Sequence, residues 1–138
     1  MTEPSRIPPD GDGQQNDAAR MHVTIRMLIP TSRRKEARSI LASMIERIQL
    51  EEGCLSCRLY QDAMEGNTIL FEEIWADERY LQNHLLSDEF RNVLLVVEMA
   101  SKPPEIRFDR IVHSTGIDAI KDARKPTGKQ TSADGLSV

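Results

Sequence analysis

The spacing of apolar residues along the chain changes between two periods, and these periods predict its secondary structure. Every second position over residues 21–29 is apolar, which predicts a strand. After Pro30 the spacing becomes helical, and Thr31 or Ser32 is expected to cap the helix. The apolar stripe of that helix consists of Ala37, Ile40, Leu41, Met44, Ile45 and Ile48.

The rest of the pattern predicts two further strands, a pair of short helices and a last strand. Gly53 suits the left-handed residue that follows a helix end. The later elements, in chain order, are a strand over 55–60, a turn over 63–67, a strand over 68–75, two helices that begin after Asp77 and Ser87, and a strand over 106–112. The short connection makes the second and third strands antiparallel.

The predicted order βαββααβ is typical of an α+β, ferredoxin-like fold, with a four-stranded antiparallel sheet and helices on one face. The other face of the sheet is a mixture of apolar and charged side chains, whereas a solvated face is usually polar throughout. This mixture indicates that a second sheet covers the face. We therefore expect a face-to-face homodimer.

Composition divides the chain into one domain and two polar extensions. The whole chain of 138 residues is 39% apolar, but nearly half of residues 21–113 are apolar, and all six aromatic residues lie there. We expect residues 1–20 to be a disordered leader and residues 114–138 to be an extension. Within that extension, residues 116–124 could form a short helix, and the tail from Thr127 is expected to be flexible.

Charge and hydropathy exclude several classes of partner. The net charge is -4 and no basic face is evident, which argues against nucleic acid. The first 20 residues contain no apolar run of the length that a secretory signal needs, and no segment is apolar enough to cross a membrane. We expect a cytoplasmic protein.

Cys54 and Cys57 have the spacing of a redox or zinc motif. In a regular strand, residues three apart point to opposite faces, with Cα atoms roughly 10 Å apart, too far for a disulfide. A second cysteine pair or a nearby histidine to complete a metal site is also missing from the sequence. We interpret the two cysteines as small strand side chains.

His84 is the residue with the clearest chemical potential. It shares a helix face with Tyr80, Leu81 and Leu85, so it should point inward, where a histidine can act as a base, a hydrogen-bond donor or a metal ligand. The alternative is a core histidine bonded to a backbone carbonyl.

Glu73 and Trp75 lie two apart on a predicted strand and therefore on one face. An inward Glu is costly unless it is paired or faces a wet cavity, so we expect a pocket, or else a partner such as Arg38. His22 and His113 lie at strand ends and should be solvated. Tyr60 and Asp62 are expected to be surface groups.

Two segments resemble the antibiotic biosynthesis monooxygenase (ABM) domain family. The segment over residues 53–62, Gly-Cys-Leu-Ser-Cys-Arg-Leu-Tyr-Gln-Asp, is similar to its second strand. The segment over residues 71–78, Phe-Glu-Glu-Ile-Trp-Ala-Asp-Glu, matches its Glu-x-Trp strand end and acidic turn. His84 follows Trp75 by nine residues, as the helix histidine of the family does. The resemblance covers about residues 21–113.

This resemblance implies a dimeric α/β barrel with a pocket between sheet and helices. It also implies oxygenation of a small phenolic, anthrone or quinol substrate by molecular oxygen, with no metal and no cofactor. In that scheme His84 is the base or oxyanion partner, Glu73 orients a polar group and Trp75 forms a pocket wall. The other aromatic residues that we expect at the substrate are Phe71, Tyr80 and Phe90.

The chain also departs from the family pattern. Glu89 stands where a second histidine is common, and Thr24 and Arg26 occupy the region in which haem-degrading members have an asparagine. Two other kinds of function therefore stay open. One is an isomerase or haem-handling protein on the same scaffold, and the other is a non-catalytic ligand-binding or stress-related dimer.

Overall fold

The computed structural model describes residues 19–126, which fold into four strands and four helices. The elements are β1 (Arg20–Leu28), α1 (Thr31–Ile48), β2 (Cys54–Gln61), β3 (Thr68–Trp75), α2 (Glu78–Leu85), α3 (Asp88–Val97), β4 (Glu105–Ile111) and α4 (Ile117–Ala123). The disordered leader and the flexible tail expected from the sequence lie outside the described residues, except that residues 19 and 20 belong to the approach and start of β1.

The four strands form one antiparallel sheet in the order β2-β3-β1-β4. β1 lies in the middle, so that Val23 is paired with Glu73 on β3 and with Phe108 on β4. Helices α1, α2 and α3 pack on one side of the sheet. The predicted α+β, ferredoxin-like fold is confirmed.

Alternation on β1 and β3 directs one set of side chains into the core. Both strands have the alternating burial that their sequences predict. The buried members of the helix α1 stripe are Ala37, Leu41, Met44 and Ile48, with Ile40 and Ile45 packed at its edge. On α3 the buried residues are Phe90, Val93 and Val96, while Leu94 is exposed. The core therefore fills the space between the helices and the three strands β2, β3 and β1.

N-cap residues are predicted for α1, α2 and α3, and the last two of these predictions are confirmed. The side chains of Asp77 and Ser87 accept hydrogen bonds from the backbone N–H groups of Tyr80 and Phe90, as predicted for N-caps. The cap predicted at Thr31 or Ser32 is wrong. Pro30 precedes the first turn of α1 without a side-chain cap.

A β-bulge at the start of β2 overturns the prediction that Cys54 and Cys57 point to opposite faces. Cys54 is opposite Trp75 and Cys57 is opposite Glu73, so the intervening Leu55 is an extra residue in the ladder. Because of that extra residue, Cys54 and Cys57 both point inward, and both are buried thiols in the core.

The turn between α1 and β2 ends at Gly53, which has the predicted positive φ of 85°. The ring of Tyr80 occupies the space that a Cβ would need at this position. The turn and helix α2 can therefore approach each other only if residue 53 is glycine. This contact brings the turn over residues 49–53 against the helix that carries His84.

Strand β4 is left uncovered on the helix side. Ile106 and Phe108 face the same side as the core residues of β1, yet they are 48% and 49% exposed. Helix α4 contains no buried residue. It lies within the segment for which a short helix is expected.

Candidate functional site

Three ionisable side chains form a hydrogen-bonded row beneath the helices. Nε2 of His84 lies 2.7 Å from Oε2 of Glu73, and Nδ1 lies 2.9 Å from Oε1 of Glu51. The indole Nε1–H of Trp75 donates to Oε1 of Glu73 at 3.0 Å. We call these four residues the acid–imidazole row. It brings together the two predicted catalytic residues, His84 and Glu73, and one residue that the sequence did not reveal.

Each member of the row is positioned by a different element. Glu73 and Trp75 are on the inward face of β3. His84 is in the last turn of α2, whose start is fixed by the Asp77 cap, and Glu51 is in the turn that leads to β2. The side chains of His84 and Glu73 are fully buried, whereas that of Glu51 is 22% exposed. The row therefore runs from the core to the surface.

Aromatic rings enclose the imidazole on two sides. The ring of Trp75 is stacked on it with centroids 4.5 Å apart, and the ring of Phe90 meets it edge-on at 5.2 Å. Apolar walls of this kind exclude water, which strengthens hydrogen bonds and ion pairs inside the row. Of the four predicted substrate-binding residues, Trp75 and Phe90 contact His84.

The charge state of His84 follows from its partners. Burial by itself would lower the pKa of this imidazole, but the hydrogen bonds and charges of Glu73 and Glu51 outweigh burial and raise the pKa above its usual value. Because an ionised carboxylate can only accept, both ring nitrogens carry a hydrogen when both partners are ionised. In that state His84 donates from each nitrogen, and its partners are carboxylates rather than the backbone carbonyl considered from the sequence.

Burial also governs the two acidic groups beside the imidazole. It raises the pKa of the Glu51 carboxyl, and the hydrogen bond to His84 offsets part of that effect. It raises the pKa of the Cys57 thiol much further, with a contribution from the charge of Glu73. Cys57 is therefore an uncharged neighbour of the row and not a nucleophilic thiolate.

Glu51 was missed because nothing in its sequence context distinguishes it from Glu52. The two residues are adjacent in a polar turn, and 33 residues separate Glu51 from His84. In the structure Glu52 is exposed, whereas Glu51 turns inward. Oε2 of Glu51 is buried and has no hydrogen-bond partner among the described residues.

The other two predicted substrate-binding residues lie beside the row without joining it. Phe71 is buried on β3, two residues before Glu73 and on the same face. Tyr80 is one turn before His84 on α2 and covers Gly53, with the guanidinium of Arg79 5.1 Å from its ring centre. Phe71 thus extends the apolar wall inward, and Tyr80 supports the turn that carries Glu51.

Several sequence expectations about isolated polar residues are now decided. Arg38 is exposed and is not the partner of Glu73. His22 is half-buried on the opposite face of the sheet and lies 2.8 Å from Glu72, so the expectation that it is solvated is wrong. His113 is exposed as expected. Asp62 accepts backbone hydrogen bonds in the turn after β2 and has a structural role.

The side chains of His84 and Glu73 are fully buried within the row, and the pocket expected beside His84 stays a prediction. A cavity of about 390 Å³ lies at the other end of the sheet, between Met27, Thr68 and Lys102, and contains none of the predicted site residues. Within residues 19–126, no group of three or more His, Cys, Asp or Glu side chains has an arrangement that could hold a metal ion. None of the described helices is both long and apolar enough to cross a membrane.

The sequence of this chain matches a known protein family. Residues 20–94 match the model of the antibiotic biosynthesis monooxygenase family, abbreviated ABM. The match covers more than half of the chain and includes Glu51, Glu73, Trp75 and His84. The chain belongs to the ABM family.

Individual proteins are similar to this chain at moderate sequence identity. A curated protein of Synechocystis, the uncharacterized protein sll1783, is 28% identical over 87 residues, which cover 62% of this chain and 59% of that protein. The chain thus spans about three fifths of the length of that relative. A solved structure of a conserved protein from Methanosarcina mazei is 26% identical with a TM-score of 0.64, covering 70% of this chain and 97% of that one.

A third relative supports the fold alone. The crystal structure of a protein named antibiotic biosynthesis monooxygenase has a TM-score of 0.60 at 20% identity, and covers 64% of this chain and 95% of that one.

Proposed function

We propose that this protein is a monooxygenase that oxidises a small phenol or quinol with molecular oxygen and without a cofactor. The observation that supports it most directly is the acid–imidazole row, because it holds His84 between two carboxylates and against Trp75. Such an arrangement can take a proton from an acidic hydroxyl and stabilise the resulting anion. Membership of the ABM family is consistent with this chemistry.

The proposed reaction needs no external reductant. A phenol with a free para C–H first loses its hydroxyl proton to the protein. The phenolate gives one electron to O2, and the radical and superoxide combine at the para carbon as a peroxide. The peroxide takes back a proton, the para C–H proton leaves and the O–O bond breaks. The products are a para-quinone and one water, so one oxygen atom enters the substrate and the other is reduced to water.

The residues of the row have distinct parts in this scheme. His84 supplies a positive charge and hydrogen bonds that stabilise the anion, and Glu73 fixes the orientation of its ring through the 2.7 Å contact. Trp75 and Phe90 form the apolar wall against which an aromatic substrate would stack, and Phe71 and Tyr80 support that wall. Excluding water protects the peroxide from premature protonation.

We also propose that two copies pair through the open face of the sheet. That face carries several polar pairs, including the hydrogen-bonded His22 and Glu72 at 2.8 Å and the ion pair of Arg107 with Asp109 at 3.2 Å. Apolar side chains such as Leu70 and Ile74 stand between them and are half-buried already. A second sheet would cover these apolar groups and leave the charges paired.

One observation favours a second candidate, a non-catalytic ligand-binding dimer. His84 and Glu73 are fully buried, and both nitrogens of the imidazole already have partners. A row of this kind can simply be a satisfied polar element of the core. This candidate differs from the monooxygenase in one measurable way, since it binds a phenol without consuming oxygen.

The deciding experiment measures oxygen uptake with a panel of hydroquinones, phenols and anthrone. We expect uptake by the wild type and a loss of at least about 100-fold in His84→Gln, because removing a donor that stabilises a developing anion typically costs that much. His113→Gln changes an exposed histidine and should leave the rate unchanged. Saturable binding without uptake across the panel would reject the monooxygenase in favour of the binding protein.

A further inference from the structure

We infer that Glu51 is the catalytic base, and that its Oε2 receives the hydroxyl proton of the phenolic or quinolic substrate. This inference rests on the proposed function for the class of reaction. It goes further because it names the atom that touches the substrate. It also assigns to His84 the role of a donor instead of a base.

The hydrogen bonds of the row leave one acceptor for a substrate. Oε1 of Glu73 receives the indole N–H of Trp75, and Oε2 of Glu73 lies against Nε2 of His84. Oε1 of Glu51 lies against the remaining nitrogen, Nδ1. Oε2 of Glu51 is buried and without a donor among the described residues. A buried carboxylate oxygen without a donor is costly, so a ligand hydroxyl placed there would gain a full hydrogen bond.

Glu51 is also the acidic member of the row whose side chain is partly exposed, although its Oε2 atom is itself buried. Its side chain is 22% exposed, whereas those of His84 and Glu73 are fully buried. The backbone of its turn is fixed, because Glu51 N–H donates to Ile48 and Glu51 C=O accepts from Cys54. Rotation of the Glu51 side chain, with no backbone movement, would therefore admit a hydroxyl beside Nδ1 of His84.

The charges in the row decide the direction of proton transfer. With carboxylates at both nitrogens, His84 is an imidazolium and has no lone pair to accept a proton. The substrate O–H proton therefore moves to Oε2 of Glu51, and the electron pair of the O–H bond stays on the substrate oxygen. The hydrogen bond of Nδ1–H of His84 can then pass from Oε1 of Glu51 to that oxygen, without rotation of the ring, and stabilise its negative charge. The same proton is available on Glu51 for return to the peroxide.

The remaining ionisable groups near Glu51 are consistent with this role. Burial raises the pKa of Glu51, the hydrogen bond and charge of His84 offset part of that rise, and the charges of Glu89 on α3 and Glu73 on β3 add to it. The net rise makes Glu51 a better base than an exposed glutamate. Cys57 on β2 stays a neutral thiol, because burial raises its pKa. His84 is thus the one cationic group that the row places next to Glu51.

Binding of 4-nitrophenol tests the assignment without requiring turnover, since its phenolate is yellow and its phenol is not. We compare the wild type with Glu51→Gln, which keeps the shape but not the base, and with Glu51→Asp, which keeps the charge. Glu52→Gln is the matched control in the same turn, because Glu52 is exposed. 4-Nitroanisole, which has no hydroxyl, is the matched ligand. Titration of His84 by NMR with labelled histidine checks the row itself.

We expect the wild type and Glu52→Gln to bind 4-nitrophenol at least about tenfold more tightly than Glu51→Gln, with 4-nitroanisole bound equally by all. Glu51→Asp should recover part of the difference. The pKa of His84 should fall in Glu51→Gln, since one of its two carboxylate partners is gone. Equal binding of 4-nitrophenol by Glu51→Gln and Glu52→Gln, or binding by none of the proteins, would overturn the assignment.

Oxygen uptake separates this inference from the function on which it rests. Uptake by the wild type that persists in Glu51→Gln rejects Glu51 as the base while the monooxygenase stands. Selective loss of 4-nitrophenol binding in Glu51→Gln, with no uptake by the wild type, supports Glu51 as the hydroxyl acceptor and rejects the monooxygenase.

Discussion

A buried imidazolium is tolerated in this core because every charge near it has a partner at close range. Moving an isolated charge out of water costs several kcal/mol, and only good geometry offsets that cost. Here His84 lies 2.7 Å and 2.9 Å from two carboxylates, and Glu73 gains a further donor from Trp75. Removing His84 would leave the buried Glu73 carboxylate without a cationic partner, and removing either glutamate would leave His84 with a single carboxylate, so the row should behave as one unit.

The pH dependence of folding provides a test of the row that does not depend on any ligand. The pKa of His84 is raised in the folded protein, so its stabilising contribution is complete below the unfolded value of about 6.5 and is lost as pH rises through the folded value. The pKa of Glu51 is also raised, so its contribution to stability likewise falls as the pH rises. We expect the free energy of unfolding, measured with urea, to fall as the pH rises above about 6.5 and towards neutral and mildly alkaline values.

Two variants show whether His84 causes that fall. In His84→Gln the fall should be smaller, and in His113→Gln it should match the wild type, because His113 is exposed. Above this window the buried Cys57 thiol contributes as well, so the comparison is confined to lower pH. A free energy of unfolding that rises over the window, or the same fall in His84→Gln, would contradict the proposed charge state.

At the scale of elements, the position of His84 depends on a helix of only eight residues. An isolated helix as short as α2 is not stable in water, so its cap and its packing must hold it in place. Asp77 supplies the cap by accepting the N–H of Tyr80 at 3.1 Å, and its charge also interacts favourably with the helix N-terminus. We expect Asp77→Ala to lower the free energy of unfolding by about 1 kcal/mol.

A matched control comes from the helix start at which a cap was predicted but is absent. Ser32 is exposed in the first turn of α1, where the structure has no side-chain cap. Ser32→Ala should therefore change the unfolding free energy by less than about 0.5 kcal/mol. Chemical denaturation of the two variants measures the difference, and an equal effect of both substitutions would show that the Asp77 cap does not stabilise α2.

The elements could be predicted where a single local signal decides them. Alternation over Thr68–Trp75 and the caps at Asp77 and Ser87 were sufficient to place β3, α2 and α3. The inward direction of Glu73 and His84 followed from these elements. The phase of β2 could not be predicted, because the bulge at Leu55 depends on pairing with β3 and leaves no mark in the local pattern.

The part of the site outside regular elements could not be predicted for a similar reason. Glu51 acquires its role only when the turn is brought against α2, a contact that depends on Gly53 and Tyr80. The sequence predicted the conformation of Gly53 but not the side chain that packs over it. The hydrogen bond between Glu73 and His84 also could not be predicted. Whether an inward Glu faces a cavity or a histidine depends on the distance between β3 and α2 in the folded protein.

At the scale of the whole molecule, the sheet has a covered side and an open side. The helices cover β2, β3 and β1, while β4 is exposed on the helix side and the opposite face carries half-buried apolar residues among ion pairs. A stable interface between proteins buries about 800 Å² on each partner, which requires a broad surface. The open face extends over all four strands, so it is the surface that best fits pairing of two copies.

Pairing through the open face predicts a specific sensitivity to charge. Ile74 lies on that face opposite His22, and a Lys there would add an unpaired like charge from each copy to a symmetric interface. We expect the wild type to sediment as a dimer at micromolar concentration and Ile74→Lys as a monomer. Leu86→Lys, at an exposed position between α2 and α3, should stay dimeric. A monomeric wild type, or loss of the dimer in Leu86→Lys but not in Ile74→Lys, would reject this interface.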